Sequence, residues 1–237
     1  MQSNQDVNGI VRVIIRFTDS DTKNKQEKQN EQQESESTLS LAQVTSSLEY
    51  LWKQIQDKQS CKQVIRVPKL LQSLIALATF RLGTHLREQT DLLRLKVRHL
   101  SRWCLWLIYH NGDEQIKSEL VINEYGRVMT LSFCTAGGIG EEEDEEIFNG
   151  LRYIYWFLRI LYQIRNDDYD YDDDDDDWQP SFHPLPLLAR NTEEQIEEDG
   201  ANEEIEAQIN NNGLGGDINS DANEAKATIL NHFINQD

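Results

Sequence analysis

The segment from residue 86 to residue 107 reads LREQTDLLRLKVRHLSRWCLWL and has the most regular apolar spacing in the chain. Steps of three and four residues place side chains on one face of an α-helix, and a series of such steps forms a heptad-like seam. The pattern predicts a long helix that packs through this seam and ends at Asn111 and Gly112. The apolar positions of the seam are Leu86, Leu93, Val97, Leu100, Cys104 and Leu107.

Helices are also predicted on both sides of this segment. Residues 39–57 carry apolar side chains at steps of three and four, which is the spacing of a one-sided helix. Pro68 suits the first turn of a further helix, since its fixed φ and missing N–H cost little there. Residues 147–164 are apolar on nearly every side, so we expect a helix that is central to the core.

Two segments instead favour β-structure. Residues 10–17 read IVRVIIRF, a run rich in β-branched residues. Arg12 and Arg16 would lie on the same side of a β-strand and give it one solvent-facing side. Residues 120–122 and 128–133 flank a turn that contains Gly126, which is typical of a β-hairpin. Together these features predict an α+β fold that is predominantly helical, with a small antiparallel β-sheet packed on several helices.

The composition divides the chain into four parts. We expect an N-terminal strand within residues 1–18, a disordered polar loop over 19–38 and a helical α+β core domain over 39–165. Residues 166–237 form an acidic low-complexity segment, which we expect to be a disordered C-terminal tail. A short apolar island that contains prolines interrupts this tail at 178–188.

The net charge of the chain is concentrated in that tail. The 237 residues include 23 Lys and Arg against 42 Asp and Glu, for a net charge of −19. Residues 166–237 hold 21 of the acidic residues and only Arg190 and Lys226 as cations, so they carry the whole imbalance. Residues 62–110 have nine Lys and Arg against two acidic residues. A basic middle followed by an acidic tail favours binding, and masking of one by the other, over catalysis.

The tail combines carboxylates with apolar and aromatic side chains that could anchor a partner. Dense carboxylates attract Arg- and Lys-rich surfaces, and aromatic rings add the contact area that charge lacks. The sequence therefore predicts a non-enzymatic intracellular regulatory or interaction protein whose partner has a basic surface. A solubilising tail without a specific partner is the plainer alternative. The predicted contact residues are Tyr169, Tyr171, Trp178, Phe182, Leu185 and Leu187.

A second interpretation is a nucleic-acid-binding protein whose basic helix, residues 81–102, is masked by the acidic tail. Arg87, Arg94, Arg98 and Arg102 follow at steps of seven, four and four and would form a cationic ridge. Nearby tryptophans could stack on exposed bases. The competing interpretation is a solvated helix face with the tryptophans in the core.

An enzyme is the least favoured class. Cys104 and three histidines, His85, His99 and His110, lie close in sequence and could suggest nucleophilic or metal chemistry. Cys104 belongs to the apolar seam, however, where a buried and unreactive thiol is the usual finding. We therefore predict no catalytic residue, no cofactor and no metal.

The remaining signals concern the compartment. Residues 70–80 form the longest uncharged apolar run, far below the roughly 18–20 residues that span a bilayer, so we expect no integral membrane segment. Three widely spaced cysteines favour reduced thiols over a disulfide framework. We expect an intracellular protein, cytoplasmic or nuclear.

Overall fold

A computed structural model describes residues 2–27, 34–80, 88–133, 144–162 and 183–234. Within these ranges the chain forms eleven α-helices and one 3-10 turn, and it contains no β-strand. The prediction of an α+β fold with a small antiparallel sheet is therefore wrong. The helices fall into two units, Met1–Asn123 and Glu124–Asp237, so the division lies inside the segment predicted as one core domain.

The first unit is built around one long helix. Helix α5 packs against α2, α3, α4 and α6, and α1 packs against α2 and α4. The predicted seam is part of α5, in which Val97, Leu100 and Cys104 are buried. The helices are α1 (Gln2–Glu27), α2 (Glu34–Ile55), α3 (Lys58–Val64), α4 (Leu70–Ala78), α5 (Glu88–Asn111) and α6 (Glu114–Ile122).

The second unit is organised around α8. This helix packs against α7, α9 and α11, while α10 contacts α9 and α11. Its inner face buries Leu151, Ile154, Phe157 and Leu158 completely. The elements are α7 (Tyr125–Leu131), α8 (Asp144–Tyr162), α9 (Pro186–Glu198), α10 (Ala201–Gln208), a 3-10 turn at Gly213–Gly216, and α11 (Asp217–Ile234).

The segment predicted as an N-terminal strand is the middle of α1. Val7, Val11 and Ile14 are buried and follow at steps of four and three, so they form one helical stripe. Burial of this stripe against neighbouring helices outweighs the weak β-preference of branched side chains, which is worth only tenths of a kcal/mol per residue. Helix α1 also continues to Glu27 and α2 begins at Glu34, so most of the predicted polar loop is helical.

The predicted hairpin is a pair of short helices. The carboxylate of Asp113 caps α6 by accepting a hydrogen bond from the Ile116 N–H at 3.1 Å. Glu124 then takes a left-handed backbone conformation, φ 62°, and starts α7. Gly126 is inside α7, where a Cβ atom would meet Thr192 Cγ2 of α9 at 3.2 Å. The glycine therefore permits a close helix contact and does not form the predicted turn.

The acidic segment is also helical wherever it is described. Helices α9, α10 and α11 occupy most of residues 183–234, so the predicted disordered tail is wrong for this range. Small apolar side chains let these helices pack closely although carboxylates dominate their composition. Residues 163–182, which include the aspartate run, lie outside the described residues. The buried apolar positions are Ala189, Ile196, Ala201, Ile205, Ile218, Ala222, Ala225 and Ile229.

Candidate functional site

The three members of the predicted arginine ridge that the structure describes are buried. Arg94, Arg98 and Arg102 have exposed fractions of 7%, 1% and 2% in α5. Arg98 Nη1 donates to the carbonyl oxygen of Phe80 at 3.4 Å, and Arg94 Nη1 lies 3.4 Å from Asp91 Oδ1. Guanidinium groups at this depth do not reach a phosphate in solvent. Arg87, the fourth predicted member, lies outside the described residues.

A different face of α5, together with Trp52 of α2, presents aromatic rings at the surface of the first unit. The rings of Trp52 and Trp103 have centroids 5.4 Å apart, and His99 lies 5.1 Å from Trp103. Trp106 and His110 stack nearly parallel, with centroids 5.4 Å apart and planes 18° apart. The first four rings are partly exposed and His110 is exposed. We call these five residues the aromatic strip.

The aromatic strip lies about a third of a turn around α5 from the arginines, given 100° of rotation per residue. The sequence carried a signal for it, because residues 99, 103, 106 and 110 follow at steps of four, three and four.

Exposed lysines lie on α2 and α3, and both of these helices pack against α5. Lys53, on α2, and Lys58 and Lys62, one turn apart on α3, are exposed. Lys96 Nζ pairs with Glu49 Oε1 at 2.5 Å. The pKa of His110 is lowered, first by partial desolvation of its ring and then by the cationic Lys117 and Lys58.

Two thiols of the first unit are buried, and one of them is Cys104, the thiol named above for possible nucleophilic chemistry. Cys61 and Cys104 are inaccessible, and Cys61 Sγ lies 4.0 Å from the carbonyl oxygen of Leu107. Burial raises the pKa of Cys61 to about 11 and also raises the pKa of Cys104. A reactive cysteine needs access and a lowered pKa, so these thiols are chemically quiet at neutral pH. His99 and His110 contact tryptophans on the other side of α5 from Cys104, and His85 lies outside the described residues.

The predicted anchors of the tail divide into two groups. Leu187, in the first turn of α9, is 77% exposed, and Leu185 is partly exposed where its N–H donates to the Leu161 carbonyl at 2.8 Å. Pro186 starts α9, so the apolar island turns helical before it ends. The other four predicted anchors, Tyr169, Tyr171, Trp178 and Phe182, lie outside the described residues.

Helices α9 and α10 carry a set of exposed carboxylates. Glu194 pairs with Arg190 at 3.3 Å, and Glu206 pairs with Lys226 at 2.8 Å. The hydrogen bond from Lys226 lowers the pKa of Glu206. We call the exposed set the acidic helical face; its members are Glu194, Glu197, Glu198, Glu203 and Glu206.

Other carboxyl groups of this unit are buried. Glu193 has an exposed fraction of 8%, and burial raises its pKa although Tyr162 and Arg190 act in the opposite direction. Glu204 is buried and accepts a hydrogen bond from Gln208 Nε2 at 3.0 Å. In the part of the chain that the structure describes, no three His, Cys, Asp or Glu side chains are arranged to hold a metal ion.

Within the same described ranges, no helix is long and apolar enough to cross a membrane. No protein-family model matches this chain, and no curated protein matches it either. A function is therefore inferred from the chemistry of its own surfaces.

Proposed function

We propose that this protein is a non-enzymatic regulatory or interaction protein that binds a partner with a basic surface through the acidic helical face. The observation that carries the proposal is that these carboxylates stand on folded helices. Buried Ala189, Ile196 and Ile205 anchor the two helices from the inside. Carboxylates held on a folded scaffold lose less conformational entropy on binding than the same groups on a disordered chain.

The distribution of charge supports a basic partner. Residues 124–237 hold 28 acidic and six basic residues, a net charge of −22, whereas residues 1–123 hold 17 basic and 14 acidic residues, a net charge of +3. A strongly acidic unit attracts cationic surfaces and speeds their encounter at low ionic strength. The attraction is screened by salt, because the Debye length is about 8 Å at physiological ionic strength.

Apolar groups beside the carboxylates supply the second component of binding. Leu187 is exposed about two turns before Glu194 on the same helix, and Leu185 precedes it. Interfaces gain most of their affinity from a few buried apolar or aromatic anchors, while a charged rim sets specificity. The aromatic residues predicted from sequence, from Tyr169 to Phe182, would add further anchors in the adjoining segment.

The thiol chemistry supports a role without catalysis. Cys61 and Cys104 are both inaccessible and have raised pKa values, so neither is a ready nucleophile. Reduced, buried thiols also suit a reducing compartment, and we infer an intracellular location, cytoplasmic or nuclear.

The test compares two variants of the full chain that lose the same charge. One carries Glu194→Gln, Glu197→Gln and Glu198→Gln; the other carries three Asp→Asn changes within residues 172–177. Binding of a Lys- and Arg-rich peptide is measured by fluorescence anisotropy over a salt series. Exposed ion pairs contribute about 0.2–1 kcal/mol each, so we expect the helix variant to bind about tenfold more weakly.

The control variant should retain most of the affinity. Equal weakening of both variants would show that only net charge matters, and weakening of the aspartate variant alone would place the site outside α9 and α10. Either result contradicts the proposal. An unchanged far-ultraviolet circular dichroism spectrum confirms that the substitutions leave the helices intact.

A nucleic-acid-binding protein with a basic helix masked by an acidic tail is less well supported. The described arginines of that helix, Arg94, Arg98 and Arg102, would have to leave buried positions to reach phosphates. Removing residues 166–237 is also a poor test, since it deletes α9 and α11, which cover α8.

A further inference from the structure

We propose that the aromatic strip and the exposed lysines of α2 and α3 form a binding site for single-stranded nucleic acid. This site is in the first unit and does not depend on the acidic helical face. It also differs from the arginine ridge, because its residues lie on another side of α5 and are at least partly exposed.

The rings provide the stacking surface. The Trp52, Trp103 and His99 rings form one group and the Trp106 and His110 rings form the next, one turn further along α5. The four rings that belong to α5 extend from residue 99 to residue 110, which is ~16 Å of helix at 1.5 Å per residue. A row of this length can receive a short run of unpaired bases, and stacking of bases on aromatic side chains tolerates any sequence.

The lysines provide the contacts to phosphate. Lys53 is on α2, and Lys58 and Lys62 lie one turn apart on α3; both helices pack against α5, which carries four of the rings. The charge of Lys58 also lowers the pKa of His110. Two of the carboxylates in this region are engaged within the protein. Glu49 pairs with Lys96, and Asp57 accepts a hydrogen bond from the Ser60 N–H at 2.7 Å as the N-cap of α3.

A site that combines aromatic rings with lysines should bind single-stranded nucleic acid more tightly than a duplex. A base pair inside a helix presents only its edges, so rings at a protein surface cannot stack on it. A duplex could therefore use only the three lysines, whereas a single strand could use the lysines and the rings together. The chain carries −19 overall, so most of its surface repels a polyanion. We therefore expect binding only where lysines are concentrated.

The experiment measures binding of a short, fluorescently labelled oligothymidylate to the full chain by anisotropy. The site variant is Lys53→Gln, Lys58→Gln and Lys62→Gln. Three phosphate contacts contribute about 2 to the slope of log affinity against log salt for a single strand, so the slope should fall by about that amount. The charge-matched control is Arg12→Gln, Arg16→Gln and Lys69→Gln, three exposed cations on α1 and at the start of α4.

A Trp106→Ala variant tests the rings. Loss of one stacked base should weaken binding about tenfold and leave the salt slope unchanged. The lysine variant keeps the test decisive if Trp106→Ala unfolds the unit, because the three lysines are exposed and their replacement leaves the core intact.

Four results would overturn the proposal. They are no binding by the unaltered protein at low ionic strength, equal loss in the lysine variant and its control, a duplex bound as tightly as the single strand, and a correctly folded Trp106→Ala variant that binds unchanged. Loss confined to the lysine variant, with a preference for the single strand, supports it.

Discussion

Replacing Lys117 by methionine should change how the stability of the protein depends on pH. The side chain is 3% exposed, and its Nζ donates to the carbonyl oxygens of Tyr109 at 3.2 Å and Gly112 at 2.5 Å. The ammonium also lies 5.1 Å from the centre of the Tyr109 ring. It therefore caps carbonyl groups at the end of α5 from a buried position.

Burial lowers the pKa of Lys117 from 10.5 to about 8, although the charge of Asp113 acts in the opposite direction. The unfolded chain keeps the ordinary pKa and thus binds more protons than the folded chain between pH 8 and pH 10.5. The free energy of unfolding consequently rises with pH in this window. At 1.36 kcal/mol per pKa unit the full gain is at most ~3 kcal/mol, because the two carbonyl contacts favour the charged form.

Urea unfolding followed by tryptophan fluorescence, at pH 7 and above pH 10.5, measures the effect in the unaltered protein and in Lys117→Met. The unaltered protein should gain up to ~3 kcal/mol relative to the variant as the pH rises. Lys53→Met, at an exposed position on α2, is the control for general effects of a lost lysine. A difference between Lys117→Met and the unaltered protein that stays constant with pH, or changes in the opposite direction, would refute the reasoning.

Three further predictions concern thiols, packing and a carboxyl group. Cys61 and Cys104 should react with iodoacetamide only after denaturation, and rapid labelling of either of these two residues in the native protein, located by peptide mass spectrometry, would show that its burial is wrong. Gly150→Ala should destabilise the protein by about 1–3 kcal/mol in urea unfolding, since the new methyl group would collide with Ser132 Oγ; an unchanged midpoint would contradict that packing. Burial raises the pKa of Asp221 from 3.8 to about 6, so the folded state binds the extra proton and stability falls as the pH rises from about 4 to 6. Asp221→Asn should flatten this fall, and an unchanged pH profile would exclude Asp221 as its cause.

Long helices with a one-sided apolar pattern were predictable from sequence. All five apolar positions predicted to share one face of α2, namely Leu41, Val44, Leu48, Leu51 and Ile55, are buried. The helices around residues 86–107 and 147–164 are present as α5 and α8. The patterns of α2 and α5 persist over several turns, so their period of 3.6 residues is unambiguous, whereas α8 was predictable from the length of its apolar run.

Short or polar helices were not predictable in the same way. In residues 10–17 the β-branched composition and the helical spacing of Val11 and Ile14 point to different structures, and only the packing partners decide between them. In α9–α11 the inward positions are often alanine, as at Ala189 and Ala222, which adds little to a hydrophobic pattern. The exposed carboxylates then dominate the composition, which becomes similar to that of a disordered segment.

For the candidate sites too, the sequence indicates which residues share a helix face but not whether that face is exposed. The spacing of Arg94, Arg98 and Arg102 correctly indicates one helix face, but it does not reveal that other helices cover that face. The ring residues of α5 have equally regular spacing and are partly exposed. Which of two stripes on one helix faces solvent depends on the helices around it, and that arrangement is a property of the tertiary fold.

The two units are each continuous in sequence, and this has a consequence for the order of folding. All residues of the first unit have been synthesised before Glu124 is added. At about 5–20 residues per second, translation of the next hundred or so residues takes about 5–20 seconds, whereas small helical domains fold in microseconds to milliseconds. The basic unit therefore has time to form its helices on the ribosome before most of the acidic residues have been made.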